Sequence, residues 1–306
     1  MNIINCFETH TSNTLIAYLP KCIRASMYNI SFDSLEEIRL RVNNPVQLIF
    51  RDKAAFLSGN TLCNNPSRCR CIRPEDIAEA VSLITDSSVY ALQNQISQGY
   101  ITLPGGHRVG ICGTAVSDGN GIDFIKNIHS LNYRFAKEIP GCSDDVLPKI
   151  LCGNNVRNTL IISPPQCGKT TLLRDIVRAI SDSGIKVGIV DEKSEIAALN
   201  NSVPGFNIGM NTDVLDNSPK DIGINILLRN MSPQVIAVDE LGKSSDISAV
   251  QNAIYSGVNV IATAHASDKD DLLNRFDMQH LQPHFGCIIT LSKRGGSGNV
   301  EEVYIR

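Results

Sequence analysis

TLIISPPQCGKTTLLRDIVRAIS, Thr159 to Ser181, is the stretch on which the reading of this 306-residue chain turns. Thr159 to Ile162 is a short β-branched and aliphatic run of the kind that forms a buried strand, and a tight segment, Ser163 to Gly168, follows it. From Lys169 onward apolar residues recur at Leu172, Leu173, Ile176, Val177 and Ile180, the spacing of an amphipathic helix. Strand, loop and helix in that order make an anion cradle, because a helix N-terminus presents unpaired N–H groups and the positive end of its dipole. The loop Ser163, Pro164, Pro165, Gln166, Cys167, Gly168, Lys169, Thr170 and Thr171 fits G-x-x-x-x-G-K-[ST] except at its first position, where serine replaces glycine. In that pattern Lys169 reaches the β- and γ-phosphates of a nucleotide and the Thr170 hydroxyl ligates Mg²⁺. The competing reading is a proline-rich turn with an exposed lysine. The Cβ of Ser163 is unwelcome if its position needs a positive φ, although Pro164 biases it towards extended backbone.

About seventy residues on, Val235 to Val238 forms an apolar strand that ends in Asp239 and Glu240. This is the Walker B arrangement, in which Asp239 holds Mg²⁺ and Glu240 orients or deprotonates the attacking water. An acidic strand-end turn is the plain alternative. The next strand ends in Thr263-Ala264-His265 and is expected between the Walker B and P-loop strands, so His265 or Thr263 faces the γ-phosphate or the water. His265 is then either a phosphate sensor or a strand-end histidine with its bonds met. A third acidic strand end, Asp191-Glu192, either tunes the magnesium site or caps a helix over Ser194 to Leu199. Arg229 sits at a helix C-terminus, where a cation is stabilised in any case.

Around these motifs strand and helix alternate from Val146 to the end: strands at 186–191, 235–239, 258–263, 287–291 and 300–305, helices at 219–231, 246–256 and 269–275. Such alternation predicts an α/β fold with a mostly parallel sheet and ligand sites at the carboxyl ends of its strands. Residues 1–142 read differently, as a smaller α+β domain preceding an ATPase domain over 143–306. It has one or two helices to about residue 30, strands at 36–42 and 46–50, a loop over 57–73, helices at 74–84 and 89–98, and a hairpin around Pro104-Gly105-Gly106. A further strand follows the turn Asp118 to Gly121.

Hydrophobic residues make up 42% and charged ones 19%, as in a water-soluble globular chain, and no run approaches the roughly 18 apolar residues of a membrane span. No secretory leader is expected at the start. A net charge of -3 argues against a nucleic-acid-coating surface. The ten cysteines are scattered and read as free thiols. Cys63, Cys69 and Cys71 form the nearest thing to a cluster, without the paired C-x-x-C units or the histidine of a zinc site.

SPPQCGKTTLLRDIVR (163–178), VGIVDEKSEIAA (187–198), NTDVLDNSPKDIGINILLRNMSP (211–233), VIAVDELG (235–242) and VIATAHA (260–266) together resemble the stage III sporulation protein AA family, ATPases of endospore-forming bacteria. EIRLR (37–41) and YITLPGGHRVGICGTA (100–115) resemble its N-terminal part. That family looks like the motor ATPases of type II and type IV secretion, with an N-terminal domain ahead of a RecA-like core. The resemblance implies ATP and Mg²⁺ as ligands, Lys169 and Thr170 as Walker A, Asp239 and Glu240 as Walker B, Asp191-Glu192 as an acidic box and His265 as a histidine box. It also implies self-assembly into a ring, expected to be a hexamer, at the cytoplasmic face of a membrane on the mother-cell side, with channel proteins of a sporulation complex as partners. Arg108 and Arg134 are arginine-finger candidates by the same analogy. The family writes glycine at Ser163 and usually arginine at Lys193. Two other classes stay open: a nucleotide-gated scaffold that hydrolyses little, and a RecA-like ATPase acting on nucleic acid.

Overall fold

The computed structural model describes residues 15–32, 34–85, 93–117, 122–153, 155–199, 202–273, 279, 281–294 and 298–306. Two compact units divide the chain: Met1–Ala136 with Asn200–Gly205, and Lys137–Leu199 with Phe206–Arg306.

In the first unit, seven strands form one antiparallel sheet: β1 Leu35–Arg41, β2 Gln47–Phe50, β3 Ala54–Ser58, β4 Thr61–Cys63, β5 Tyr100–Thr102, β6 Arg108–Ser117 and β7 Ile122–Arg134. Their order is β4-β3-β2-β1-β7-β6-β5. Period-two alternation turns Ile38, Leu40, Leu48, Phe50, Leu131 and Tyr133 inward, where Ile23 of helix α1 (Lys21–Ser26) and Ile77, Ala80 and Ile84 of α2 (Pro74–Ile84) join them. Pro74 opens α2, and the Asp76 carboxylate accepts from the Arg73 N–H at 2.9 Å, so the start of this helix is capped from within. Helix α3 covers Gln93–Ser97, and β5 and β6 pair across Pro104-Gly105-Gly106. The segment 57–73, expected as loop, instead carries the end of β3 and all of β4, followed by a single 3₁₀ turn at Pro66–Arg68. Its hairpin turn at Gly59 is short and β4 has three residues, too few for hydrophobic alternation to announce it.

The second unit holds helix α4 (Leu147–Ile150), a small pair β8 (Leu151–Cys152) and β9 (Asn155–Val156), and then the main sheet. That sheet comprises β10 Thr159–Ser163, β11 Val187–Asp191, β12 Thr212–Asp216, β13 Val235–Leu241, β14 Asn259–His265, β15 Cys287–Ser292 and β16 Asn299–Ile305. The order is β12-β11-β13-β14-β10-β15-β16, parallel throughout except for β16. All five residues of β10 and of β11 are buried, as befits strands covered on both faces. Alternation sorts the core into two layers. Ile161, Ile189, Ala237 and Ile261 meet Leu172, Leu173, Ile176 and Ile180 of helix α5 (Lys169–Asp182) on one face. Leu160, Ile162, Ile236, Val238 and Ala262 meet helices α6 (Lys220–Asn230) and α7 (Ser244–Tyr255) on the other. Gly223 lets α6 lie close to β11, since a Cβ there would stand 2.4 Å from Val190 Cγ1.

Two expectations differ from what is found. Residues 194–199 do not form a helix, because their backbone is held by side chains from elsewhere, and β12 adds an edge strand that was not expected. Helix α8 covers Lys269–Leu273. Residues 1–14, 89–92, 118–121, 274–275 and 295–297, on which parts of the expected helices and turns fall, lie outside the described residues. No helix among the described residues is long and apolar enough to cross a membrane.

Candidate functional site

The loop between β10 and α5 takes its shape from two residues in the left-handed region, Gln166 (φ 61°) and Gly168 (φ 89°). Gly168 occupies the N-cap of α5, where a side chain would be strained. Ser163 is not one of the left-handed residues: it ends β10, buried, and its hydroxyl donates to the Pro164 carbonyl at 2.6 Å. Strain in this loop therefore falls on Gln166 rather than on the position where the glycine of the pattern is missing.

Parallel pairing sets Ser163 beside His265 at the carboxyl ends of β10 and β14, and β14 lies between β10 and β13. Lys169, in the first turn of α5, folds back over this edge. Its ammonium group donates to Ser163 Oγ (3.1 Å), Ser163 O (3.3 Å), Pro164 O (3.4 Å) and His265 Nδ1 (3.1 Å). Each of these partners is a neutral acceptor. Burial accordingly lowers the Lys169 pKa, opposed by the charges of Asp239 and Glu240 further off. One residue along, the Thr170 hydroxyl donates to Asp239 Oδ2 at 2.6 Å, while Asp239 Oδ1 accepts from the Thr263 hydroxyl.

In an unbroken strand Asp239 and Glu240 would point to opposite faces. Here Glu240 has φ 53° and the pairing of β13 with β14 slips between Val238 and Leu241. This kink is held by the Glu240 N–H, which reaches Thr263 Oγ1 at 2.8 Å and Asp239 Oδ1 at 3.1 Å. Both carboxylates are thereby aimed at the same end of the sheet. Glu240 Oε1 faces His265 Nε2 at 3.4 Å and Oε2 pairs with the Lys193 ammonium. An ammonium can only donate, so its contact with Nδ1 corresponds to the tautomer whose Nε2–H points towards Glu240. Burial would raise the Glu240 carboxyl, but Lys193 and then His265 outweigh it and hold the pKa below the usual range. Lys169, Thr170, Asp239, Glu240, His265 and Thr263 thus form one connected polar cluster, and Lys193, marked in the sequence only as standing where the family usually writes arginine, joins it through Glu240.

Asp191 and Glu192 stand one strand further out and do not join that cluster directly. The Asp191 carboxylate accepts from the N–H groups of Glu195 (2.8 Å), Ile196 (2.9 Å) and Ala197 (2.8 Å), and burial pushes its pKa up to about 6 against those bonds. Glu192 pairs with Lys220. Ser194, at the start of the expected helix, has φ 52° and donates to Asp216 Oδ1 at 2.6 Å. On the carbonyl side of the same loop, buried Arg174 of α5 donates to Glu195 O (2.6 Å), Ile196 O (2.7 Å) and Lys137 O (3.3 Å), with its guanidinium 3.6 Å from the Phe206 ring centroid. Asp191 and Arg174 therefore clamp the segment that carries Lys193. Arg174→Met should lower stability by about 2–3 kcal/mol, because the buried Ile196 carbonyl and two partly buried ones lose a charged donor. A urea midpoint equal to that of the wild type would show that the loop holds without it.

Arg229 is exposed at the end of α6. In the first unit, Arg108 and Arg134 are cross-strand partners, Arg108 lying over the Tyr100 ring and Arg134 Nε 3.7 Å from Glu37. Among the described residues no group of three or more His, Cys, Asp or Glu is arranged to hold a metal ion.

Over residues 10–306 the chain matches the family described as Sporulation stage III, protein AA. It is 36% identical over 303 residues to stage III sporulation protein AA of Bacillus subtilis (strain 168), a match that covers 95% of this chain and 94% of that one. Among solved structures it is similar to the Legionella pneumophila ATPase DotB, with TM-score 0.56 and 16% identity, covering 84% of this chain and 72% of that one. The pilus retraction motor PilT with bound ADP is similar at the same TM-score of 0.56 and 16% identity, over 86% and 75% of the two chains. These likenesses establish a P-loop NTPase fold.

Proposed function

We propose that this chain, which belongs to the stage III sporulation protein AA family, binds and hydrolyses ATP as the motor of a secretion-like channel complex in endospore formation. In this reading it works as an oligomeric ring on the cytoplasmic face of the membrane, and residues 143–306 are a RecA-like ATPase domain preceded by an assembly domain, 1–142. The observation that carries the reading is the convergence of Lys169, Thr170, Asp239, Glu240 and His265 on the carboxyl ends of β10, β13 and β14.

The residues fit the ligand. Lys169 is a buried cation whose hydrogen-bond partners are all uncharged, so a phosphate oxygen supplies the direct anionic partner that it lacks. A hydroxyl and a carboxylate side by side, Thr170 and Asp239, are the hard oxygen donors that suit Mg²⁺, which supplies charge neutralisation on the phosphate oxygens when bound. The loop Ser163–Gly168 and the N–H groups opening α5 bind and orient the phosphates. Glu240, kept ionised, takes the proton of the attacking water, and His265 sits between Glu240 and Lys169 to report on the γ-phosphate.

One observation bears on the scaffold alternative: Glu240 Oε2 is paired with Lys193, so one oxygen of the carboxylate that would take the proton already has a cationic partner. Single-turnover hydrolysis, followed over a range of protein concentrations, separates the two readings. Turnover that rises with assembly supports the motor, whereas tight binding without turnover at any concentration supports the scaffold.

Ser163→Gly is expected to leave ATP affinity within about twofold and to lower stability by about 1 kcal/mol. The position does not need a positive φ, and glycine loosens the unfolded chain while removing a buried hydroxyl. Tighter binding together with a higher melting temperature would place strain at Ser163 after all.

A further inference from the structure

We propose that Cys63 and Cys69 form a preorganised dithiol that closes to an intramolecular disulfide by exchange with a low-molecular-weight disulfide. Their Sγ atoms stand 3.0 Å apart, about 1 Å more than the roughly 2.05 Å of an S–S bond. The turn between them holds this approach. Asn65 accepts from the Ser67 N–H at 3.0 Å to cap the 3₁₀ turn Pro66–Arg68, and its carbonyl accepts from both thiols, at 3.3 Å from Cys63 and 3.6 Å from Cys69. Both ends of the segment are anchored. Cys63 belongs to β4, paired through Phe56, and beyond Cys69 the chain bridges Pro45 at Cys71 and buries Ile72. Both sulfurs belong to half-exposed residues, within reach of a small reagent.

The two thiols are not equivalent. Burial and the adjacent Cys63 thiol push the Cys69 pKa up to about 11, which disfavours Cys69 as the first nucleophile. The Cys63 thiolate forms a bond to one sulfur of the reagent, whose S–S bond breaks and releases a thiolate. Cys69 then gives up its proton and attacks Cys63 Sγ, breaking the mixed disulfide and releasing the second thiol. Two protein thiols are oxidised, one reagent disulfide is reduced to two thiols, and the two protein protons leave with them. The product ties β4, an edge of its sheet, to the turn that follows.

The test treats the full-length reduced protein with glutathione disulfide until exposed Cys112 and Cys152 carry glutathione, then maps cysteines by mass spectrometry without reduction. The Cys63–Cys69 peptide should lose two hydrogens and carry no glutathione, with the closed pair exceeding its mixed disulfides by about tenfold or more, as a well-oriented intramolecular step requires. Cys69→Ser should stop the reaction at a glutathione adduct on Cys63, and Cys71→Ser should leave closure unchanged. Separate adducts on Cys63 and Cys69, a bond from either to Cys71, or no reaction at the pair once Cys112 and Cys152 are modified would each overturn the proposal.

Discussion

Lys169→Ala should abolish ATP binding, with affinity falling by about a hundredfold or more. Truncating a buried charge that is hydrogen-bonded to its ligand costs about 2–5 kcal/mol, and Lys169 is 6% exposed, so water cannot take its place. The same substitution should not unfold the protein. Lys169 rests on neutral acceptors and its charge is disfavoured by burial, so its removal takes away a desolvation cost along with four hydrogen bonds. Calorimetric titration with ATP, beside thermal melting of both proteins, measures the two effects together. Unchanged nucleotide affinity in the variant would sink the P-loop reading.

Glu240→Gln is expected to do the reverse: ATP stays bound while hydrolysis slows by about two to four orders of magnitude, as when a general base is removed. Thr170 and Asp239 are untouched, so the pair of oxygens assigned to Mg²⁺ remains. The variant breaks the ion pair with Lys193, whose side chain is 49% exposed, and such a pair is worth about 0–1 kcal/mol, so the melting temperature should hardly move. Pre-steady-state hydrolysis and equilibrium binding, measured on the same preparation, give the split. Equal losses of binding and turnover would mark Glu240 as a structural residue.

Local signals in the chain were enough to find the strand, loop and helix around Lys169, because each sits in one contiguous stretch with its own periodicity. The apolar run ending in Asp239-Glu240 was equally plain, since parallel strands buried on both faces are nearly all aliphatic. Features that carry no local signal depend on contacts distant in sequence. The apolar and polar order of SEIAAL suits a helix, yet Asp191 and Arg174 satisfy its backbone in an irregular form and tertiary bonds override propensity. The edge strand Thr212–Asp216 is half-exposed and ends in aspartate, so neither alternation nor a hydrophobic run marks it. Lys193 lies 47 residues from Glu240, and the sequence marks it only as a departure from the family's arginine, not as a partner of that carboxylate. Cys63 and Cys69 were visible as neighbours in sequence, but only the turn at Asn65 shows that two of the three sulfurs meet.

The left-handed backbone of Glu240 sets stability against activity at a single residue. An L-residue other than glycine, asparagine or aspartate held there costs of order 1 kcal/mol or more, which glycine avoids. Selection for heat resistance alone would therefore drift towards glycine at position 240 and is expected to return proteins that melt higher and hydrolyse ATP slower by orders of magnitude. Retention of glutamate by variants chosen for turnover, and its loss from variants chosen for thermal endurance, would show that chemistry, rather than folding, keeps it in place.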